Sequence, residues 1–311
     1  MKRILLIMNP SAGMGAAEER LYDIVVTLAQ EGCETTPVPM LLDRGLTSEK
    51  ILDEEDGRFD IIACFGGDGT LHHLVDGYVA HGLTKPIGYL PAGSTNDFAR
   101  SIGLPEDLPG GLQNIAHGVP TALDIGVFND SHFNYVAAFG AFTKVSYETN
   151  QAFKNLLGYA AYIISALWSV GESVNVRCPM TVEHDGVRTE GSYIFGAVSN
   201  STSIAGFKVP FDQEVSMSDG ILEAILVRAP ENLMDFTQIV GCLMAGTLDC
   251  PFIETFQARE IHIHSASKAA WTLDGEFGGE PEDVHISVLQ KRLSLLLPAR
   301  EEAAPEGQTY P

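Results

Sequence analysis

Apolar positions along this chain follow two regimes. Up to about residue 123, unbroken apolar runs alternate with stretches of helical period. Residues 3–8 lead into a helical pattern over 16–30, residues 59–64 into one over 71–81, and residues 87–90 into one over 107–117. Continuous apolar runs mark strands buried on both faces, and intervening helices mark parallel pairing. This part therefore predicts a doubly wound α/β domain. Beyond Leu123 the runs at 133–139, 173–183, 192–198, 221–227 and 284–289 alternate with period two. Alternation is the pattern of antiparallel strands with one covered face, and it predicts a β-sandwich interrupted by helices at 152–170 and 233–245. The expected fold is α/β, with an N-terminal α/β domain over 1–123 and a C-terminal β-sandwich over 124–292. Residues 299–311, rich in Glu, Ala, Pro and Gly, read as a disordered tail.

Each of the three N-terminal strands empties into a polar glycine loop. The first is Asn9-Pro10-Ser11-Ala12-Gly13-Met14-Gly15, where Pro10 halts the strand and the glycines turn the chain into a helix. The second is Phe65-Gly66-Gly67-Asp68-Gly69-Thr70, with a helix expected near Thr70. The third is Pro91-Ala92-Gly93-Ser94-Thr95-Asn96-Asp97, with a helix expected to follow. Taken singly, each is also an ordinary strand-to-helix turn. Three such ends on one parallel sheet define a crevice at its carboxyl edge, where backbone N–H groups and helix N-termini suit phosphate. Asp68 would be out of place beside phosphate unless a divalent cation stood between them.

A formal net charge of −22 excludes nucleic acid as a partner and disfavours tight attachment to anionic membranes. Five cysteines without a CxxC pair read as reduced thiols. The apolar run 4–8 is too short for a signal peptide, and the run 156–170 falls short of the roughly 20 residues of a membrane span. It reads as a helix packed on the second domain.

The second half must supply any proton acceptor. Trp271-Thr272-Leu273-Asp274-Gly275-Glu276 reads as a strand and a turn with Asp274 and Glu276 near its tip. A carboxylate there could take the proton of an attacking alcohol, although Asp-Gly is also a common hairpin turn. Asp219-Gly220 by itself reads as a turn before a strand. His72 and His73 are expected on different faces of a helix surface, unable to pair on a metal. His262 and His264 could share a strand face, with no third metal ligand nearby in sequence.

The segments Asn9 to Gly13, Gly66-Gly67-Asp68-Gly69-Thr70 and Gly93-Ser94-Thr95-Asn96-Asp97-Phe98 resemble the signature set of the diacylglycerol kinase catalytic domain. That family of lipid kinases includes soluble bacterial diacylglycerol kinases, sphingosine kinases and ceramide kinases. Val145-Ser146-Tyr147-Glu148-Thr149, Ser218-Asp219-Gly220-Ile221-Leu222 and Leu273-Asp274-Gly275-Glu276-Phe277-Gly278-Gly279 are similar to the C-terminal half of the soluble Gram-positive members. The likeness covers most of residues 1–297.

The resemblance implies an ATP- and Mg2+-dependent kinase that carries the γ-phosphate to a lipid hydroxyl, with ATP in the crevice between the domains. Diacylglycerol is the expected acceptor; a sphingoid base, ceramide, phosphatidylglycerol or undecaprenol are alternatives. An NAD-kinase-like enzyme shares Gly-Gly-Asp-Gly, but the Thr-Pro-Thr-Gly-Ser-Thr element usual there is missing. A nucleotide-binding regulator is the non-enzymatic alternative. Phosphates would lie near Asn9, Pro10, Gly13, Gly66, Gly67, Gly69, Thr70, Gly93, Ser94 and Asn96. Arg20 is the first basic candidate, its alternative a solvated helix charge, and Arg100 the second. Asp68 would hold magnesium directly or through water, with Asp97 supporting it. The resemblance assigns the general base to Asp274, with Glu276 as the lesser candidate. It also implies a structural magnesium at Asp219 and the carbonyls of Ser216 and Ile221. It further implies a strand at 293–298 returning to the first domain, a cytoplasmic protein in transient peripheral contact with membrane, and a homodimer. The helix at 152–170 would then offer, at most, one face near the lipid.

Three departures stand out. Met14 replaces a common Lys, Ser94 replaces Thr while keeping the hydroxyl, and His72-His73 stands where Asn-Glu or His-Glu is usual.

Overall fold

The computed structural model describes residues 1–10, 12, 17–54, 57–93, 96–140, 177–201, 216–245 and 247–299. The expected helix at 152–170, the motif at 145–149, Gly13, Ser94 and residues 300–311 lie outside them.

Strands β1 (Lys2–Met8), β2 (Cys33–Pro39), β3 (Ile61–Gly66) and β4 (Ile87–Pro91) pair in parallel in the order β2-β1-β3-β4. Side chains on β1 and β3 alternate between two cores, as period two requires. Leu5, Ile7, Ile62 and Cys64 enter one cluster, with Leu71, Leu74 and Tyr78 of helix α3 (Asp68–Ala80). Ile4, Leu6, Ala63 and Phe65 enter the other, with Ile24 and Leu28 of α1 (Ala17–Gln30) and Leu112 and Ile115 of α5 (Leu108–His117). The helices leaving β1 and β3 therefore lie on opposite faces. The strand order reverses between β1 and β3, which opens a crevice at their carboxyl ends. Short helices α2 (Ser48–Asp53) and α4 (Asp97–Ser101) complete this half.

From β5 (Val119–Phe128) onward the pairing is antiparallel, apart from the parallel contact of the last strand with β4. Strand β6 (Ser131–Phe133) pairs with β5, and β7 (Val136–Gly140) with β9 (Val187–Ser199). Strand β8 (Cys178–His184) joins β9 to β12 (Glu260–Ser265), while β10 (Leu222–Arg228) lies between β9 and β11 (Ile253–Ala258). Strand β13 (Trp271–Leu273) pairs with β7 and with β14 (Glu276–Gly279). Trp271 is buried against Phe128 and Phe139, with ring centroids 5.0 and 4.8 Å away. Helix α6 (Leu233–Met244) closes a further cluster by packing Ile239 and Leu243 with Ile225 and Val227. Among the described residues no helix is long and apolar enough to cross a membrane.

Two expected strands change form. The run at 133–139 splits into β6 and β7, with a break at Asn134 and Tyr135. The runs at 284–289 and 293–298 are one strand, β15 (Asp283–Leu297). It pairs with β12 at one end and places Leu295 beside Ile87 of β4 at the other. Its pairing with β5 shifts between Leu289 and Leu293, where Lys291 takes a left-handed φ of 54°.

That kink is held by Asp124, which is buried in β5. Its Oδ1 accepts the Lys291 N–H at 2.7 Å, and its Oδ2 the Gly220 N–H at 2.6 Å. Asp124→Ala leaves both donors without an acceptor. It should lower the unfolding free energy by about 2–5 kcal/mol in urea denaturation, with a smaller loss in Asp124→Asn.

Candidate active site at the carboxyl edge of the parallel strands

The ends of β1, β3 and β4 are laced together by their own backbone. Asn9 N–H donates to Phe65 O at 3.0 Å, and Ala92 N–H to Gly66 O at 2.8 Å. Asn9 Nδ2 also donates to Thr70 Oγ1 at 3.1 Å, tying the first loop to the first turn of α3. Gly67 and Gly93 meet with no side chain between them. A Cβ built on Gly93 would lie 2.8 Å from Gly67 Cα, so only glycine permits this approach. Asn96 Oδ1 accepts the Gly93 N–H at 2.8 Å, and Asn96 itself adopts φ 50° at the start of α4. Gly67 provides no side-chain cap for α3, so the first amides of that helix point into the crevice.

Two carboxylates stand at the same edge. Asp68 Oδ2 accepts the Asp97 N–H at 3.2 Å. Burial pushes the Asp97 carboxyl upward, opposed by Arg100, and Tyr89 is raised by burial and by the Asp68 charge beside it. Two neighbouring half-buried carboxylates fit a hard cation. Arg20 sits exposed on α1, and Arg100 is paired with Glu106 at 3.1 Å.

The antiparallel half delivers Asp274 to this edge. Asp274 and Gly275 have φ of 52° and 92°, the paired positive values of a tight hairpin turn between β13 and β14. The break between β6 and β7 aims successive backbone amides at the Asp274 carboxylate. Its Oδ1 accepts Tyr135 N–H (2.8 Å) and Val136 N–H (3.1 Å). Its Oδ2 accepts Asn134 N–H (2.8 Å), Asn134 Nδ2 (3.1 Å) and His72 Nδ1 (3.0 Å). Glu276 reaches the other side of the turn, and a methyl on Gly69 would run into its Oε1. Helix α3 thus touches both carboxylates of the hairpin.

His72 corrects the expectation of a helix-surface residue, since it is 6 % exposed while His73 is exposed. Burial alone would lower its pKa; the hydrogen bond to Asp274 and the charges of Asp274, Asp76 and Glu276 win, and the net shift is upward. The two rings also approach, with centroids 5.5 Å apart. Asp68, His72 and Asp76 recur every four residues, and that spacing was the available signal for one shared stripe. Asn134 carries no comparable sequence mark. His262 and His264 do share an exposed strand face, but their partners come from β15. His262 stacks on His285 at 4.3 Å beside Glu260, and His264 binds Asp283 at 2.6 Å.

Ser216, Asp219 and Ile221 lie in a turn in which Asp219 Oδ1 accepts the Ile221 N–H at 3.0 Å. Asp219 stands close enough to the buried Asp124 and Glu223 to raise both, after burial itself. Glu223 is pushed up to about 7, and its buried Oε2 has no hydrogen-bond partner. The oxygen surplus here also fits a hard cation.

Residues 3–128 match the diacylglycerol kinase catalytic domain. A diacylglycerol kinase of Staphylococcus carnosus is 30% identical over 284 residues, covering 90% of each chain. The chain belongs to the diacylglycerol kinase catalytic-domain family. A diacylglycerol kinase of Staphylococcus aureus is 31% identical over 90% of this chain and 87% of its own length. A diacylglycerol kinase structure from Bacillus anthracis shares the fold, with a TM-score of 0.71, 21% identity and coverage of 95% and 96%. The family match spans all three glycine loops; Asp274 lies beyond it.

The Gly67–Gly93 contact yields a direct check. Gly93→Ala should weaken ATP binding in titration calorimetry by about 10- to 100-fold, because the added methyl forces the two loops apart. Gly241→Ala, whose methyl meets nothing within 4 Å, should leave affinity unchanged.

Proposed function

We propose that this chain is an ATP-dependent kinase that transfers the γ-phosphate to the free hydroxyl of diacylglycerol, giving phosphatidic acid. One observation carries the reading: Asp274 is bonded to His72 on the helix whose first turn belongs to the glycine cradle. In this reading a proton acceptor stands beside the phosphate site. The similarity to diacylglycerol kinases over 90% of the chain supports the choice of acceptor.

In this reading Asn9, Gly66, Gly67, Gly69, Thr70, Gly93 and Asn96 surround the phosphates with amides and short polar groups. Pro10, Gly13, Ser94 and Arg20 keep the roles that the resemblance implies. Asp68, supported by Asp97, would hold magnesium, which would neutralise phosphate charge when bound. Asp274 orients the lipid hydroxyl and takes its proton as the new P–O bond forms, while the bond from the γ-phosphorus to the bridging oxygen breaks and ADP leaves with that electron pair. Five donors hold its two oxygens in place. Fixed geometry matters here, because phosphoryl transfer has a loose transition state that demands positioning more than proton abstraction. Glu276, lying over Gly69, supports the phosphate side. Asp219, with the carbonyls of Ser216 and Ile221, would hold a structural magnesium.

Phe277, 63 % exposed one residue beyond Glu276, offers an apolar contact for an acyl chain beside Asp274. With a charge of −22, approach to the bilayer is apolar and transient. Five free cysteines support a reducing, cytoplasmic setting. A homodimer belongs to the proposal on the strength of the family likeness.

Transfer from radiolabelled ATP to a micellar panel tests the reading. The panel holds diacylglycerol, monoacylglycerol, ceramide, sphingosine, phosphatidylglycerol and undecaprenol, with NAD as the soluble acceptor. The expected label is in phosphatidic acid, reduced about 10²- to 10⁴-fold in Asp274→Asn. Label in another product replaces the acceptor, and undiminished transfer by Asp274→Asn removes the base. A second check concerns the turn at Asp219: magnesium should raise the melting temperature of the wild type but not of Asp219→Ala.

A further inference from the structure

On α3, His72, His73 and Asp76 each offer one ligating atom, all within 4.8 Å of one another. We propose that these three side chains bind a transition-metal ion of the zinc type, with Asp274 and His132 as the outer partners that orient them. The separations carry the first argument. His72 Nε2 lies 3.7 Å from Asp76 Oδ2, too far for a hydrogen bond. Two ligands of a tetrahedral ion with bonds of about 2.1 Å stand roughly 3.4 Å apart, so a small side-chain adjustment admits the ion.

The outer contacts carry the second. A carboxylate only accepts, so His72 Nδ1 spends its proton on Asp274, and the Nε2 lone pair faces Asp76. Asp76 in turn gives Oδ1 to His132, accepting from its Nδ1 at 2.8 Å and its backbone N–H at 3.2 Å, and keeps Oδ2 towards His72. Ligands whose second polar atom is already anchored are the usual surroundings of a bound metal.

Access is the third. His73, Asp76 and His132 line a cleft of about 320 Å³ that also presents Glu49 and Asp130. An ion can enter there, and water can fill the remaining position. Two imidazoles with one carboxylate select zinc, cobalt or nickel over magnesium, which prefers oxygen. Because His72 also holds Asp274, a bound ion would reach the proposed proton acceptor through a single ring. That consequence rests on the kinase reading; the binding itself does not.

The test uses the untagged full chain, stripped with chelator and held in magnesium. Zn2+ is titrated by calorimetry and Co2+ by visible absorption. The expected result is one saturable ion with tetrahedral cobalt bands. Affinity should fall at least about tenfold in His73→Ala and in Asp76→Asn, and about tenfold in His132→Ala. His73 is exposed, so its replacement leaves the core intact. His285→Ala, at the separate cluster with His262 and Glu260, should change nothing. No saturable binding overturns the proposal, as does binding that survives both His73→Ala and Asp76→Asn, or binding lost with His285→Ala.

Discussion

The constraint on which this structure depends is the anchoring of one carboxylate, Asp274, from two directions. On one side the chain breaks between β6 and β7 and turns the amides of residues 134–136 onto it. On the other, α3 presents His72 to it. An ion-like group this buried is tolerable only when its oxygens are fully hydrogen-bonded. The two halves must therefore dock in one register before Asp274 can be accommodated. The same docking brings the hairpin tip against Gly69 and the phosphate cradle. The proposed catalytic geometry and a folding requirement thus coincide in one residue.

The rest of the sheet supports that docking. Strand β15 runs from the antiparallel half into the parallel one, and its kink at Lys291 changes its direction between them. Asp124 fixes the kink and the turn at Gly220 together, so a buried carboxylate again joins distant segments through backbone donors. The backbone contact of Gly67 with Gly93 closes the cradle from within.

Much of this was legible in the residue pattern. Uninterrupted apolar runs such as Ile61–Gly66 gave away strands buried on both faces, and the glycine loops after β1, β3 and β4 marked the crevice. The Asp-Gly pair at 274–275 marked a hairpin, and its left-handed backbone is what that pair allows. Other features resisted the same reasoning. The break at Asn134 and Tyr135 is driven by an acceptor about 140 residues away in sequence, and no local pattern encodes it. Gln290, Lys291 and Arg292 look like a loop between two strands because they are polar, although the strand runs through them. His72 reads, like His73, as a helix-surface residue, whereas its relation to Asp68 and Asp76, four residues either way, marks the stripe it shares.

The central proposal is that His72 of α3 acts on the chemistry through Asp274 and not through the nucleotide. The most direct measurement is ATP affinity and phosphatidic acid turnover of His72→Ala, side by side with wild type and with magnesium as the sole metal. The account predicts that turnover falls by about tenfold or more while ATP affinity stays unchanged, because only the anchoring of Asp274 is lost. Unchanged turnover, or a loss confined to ATP affinity, would contradict it.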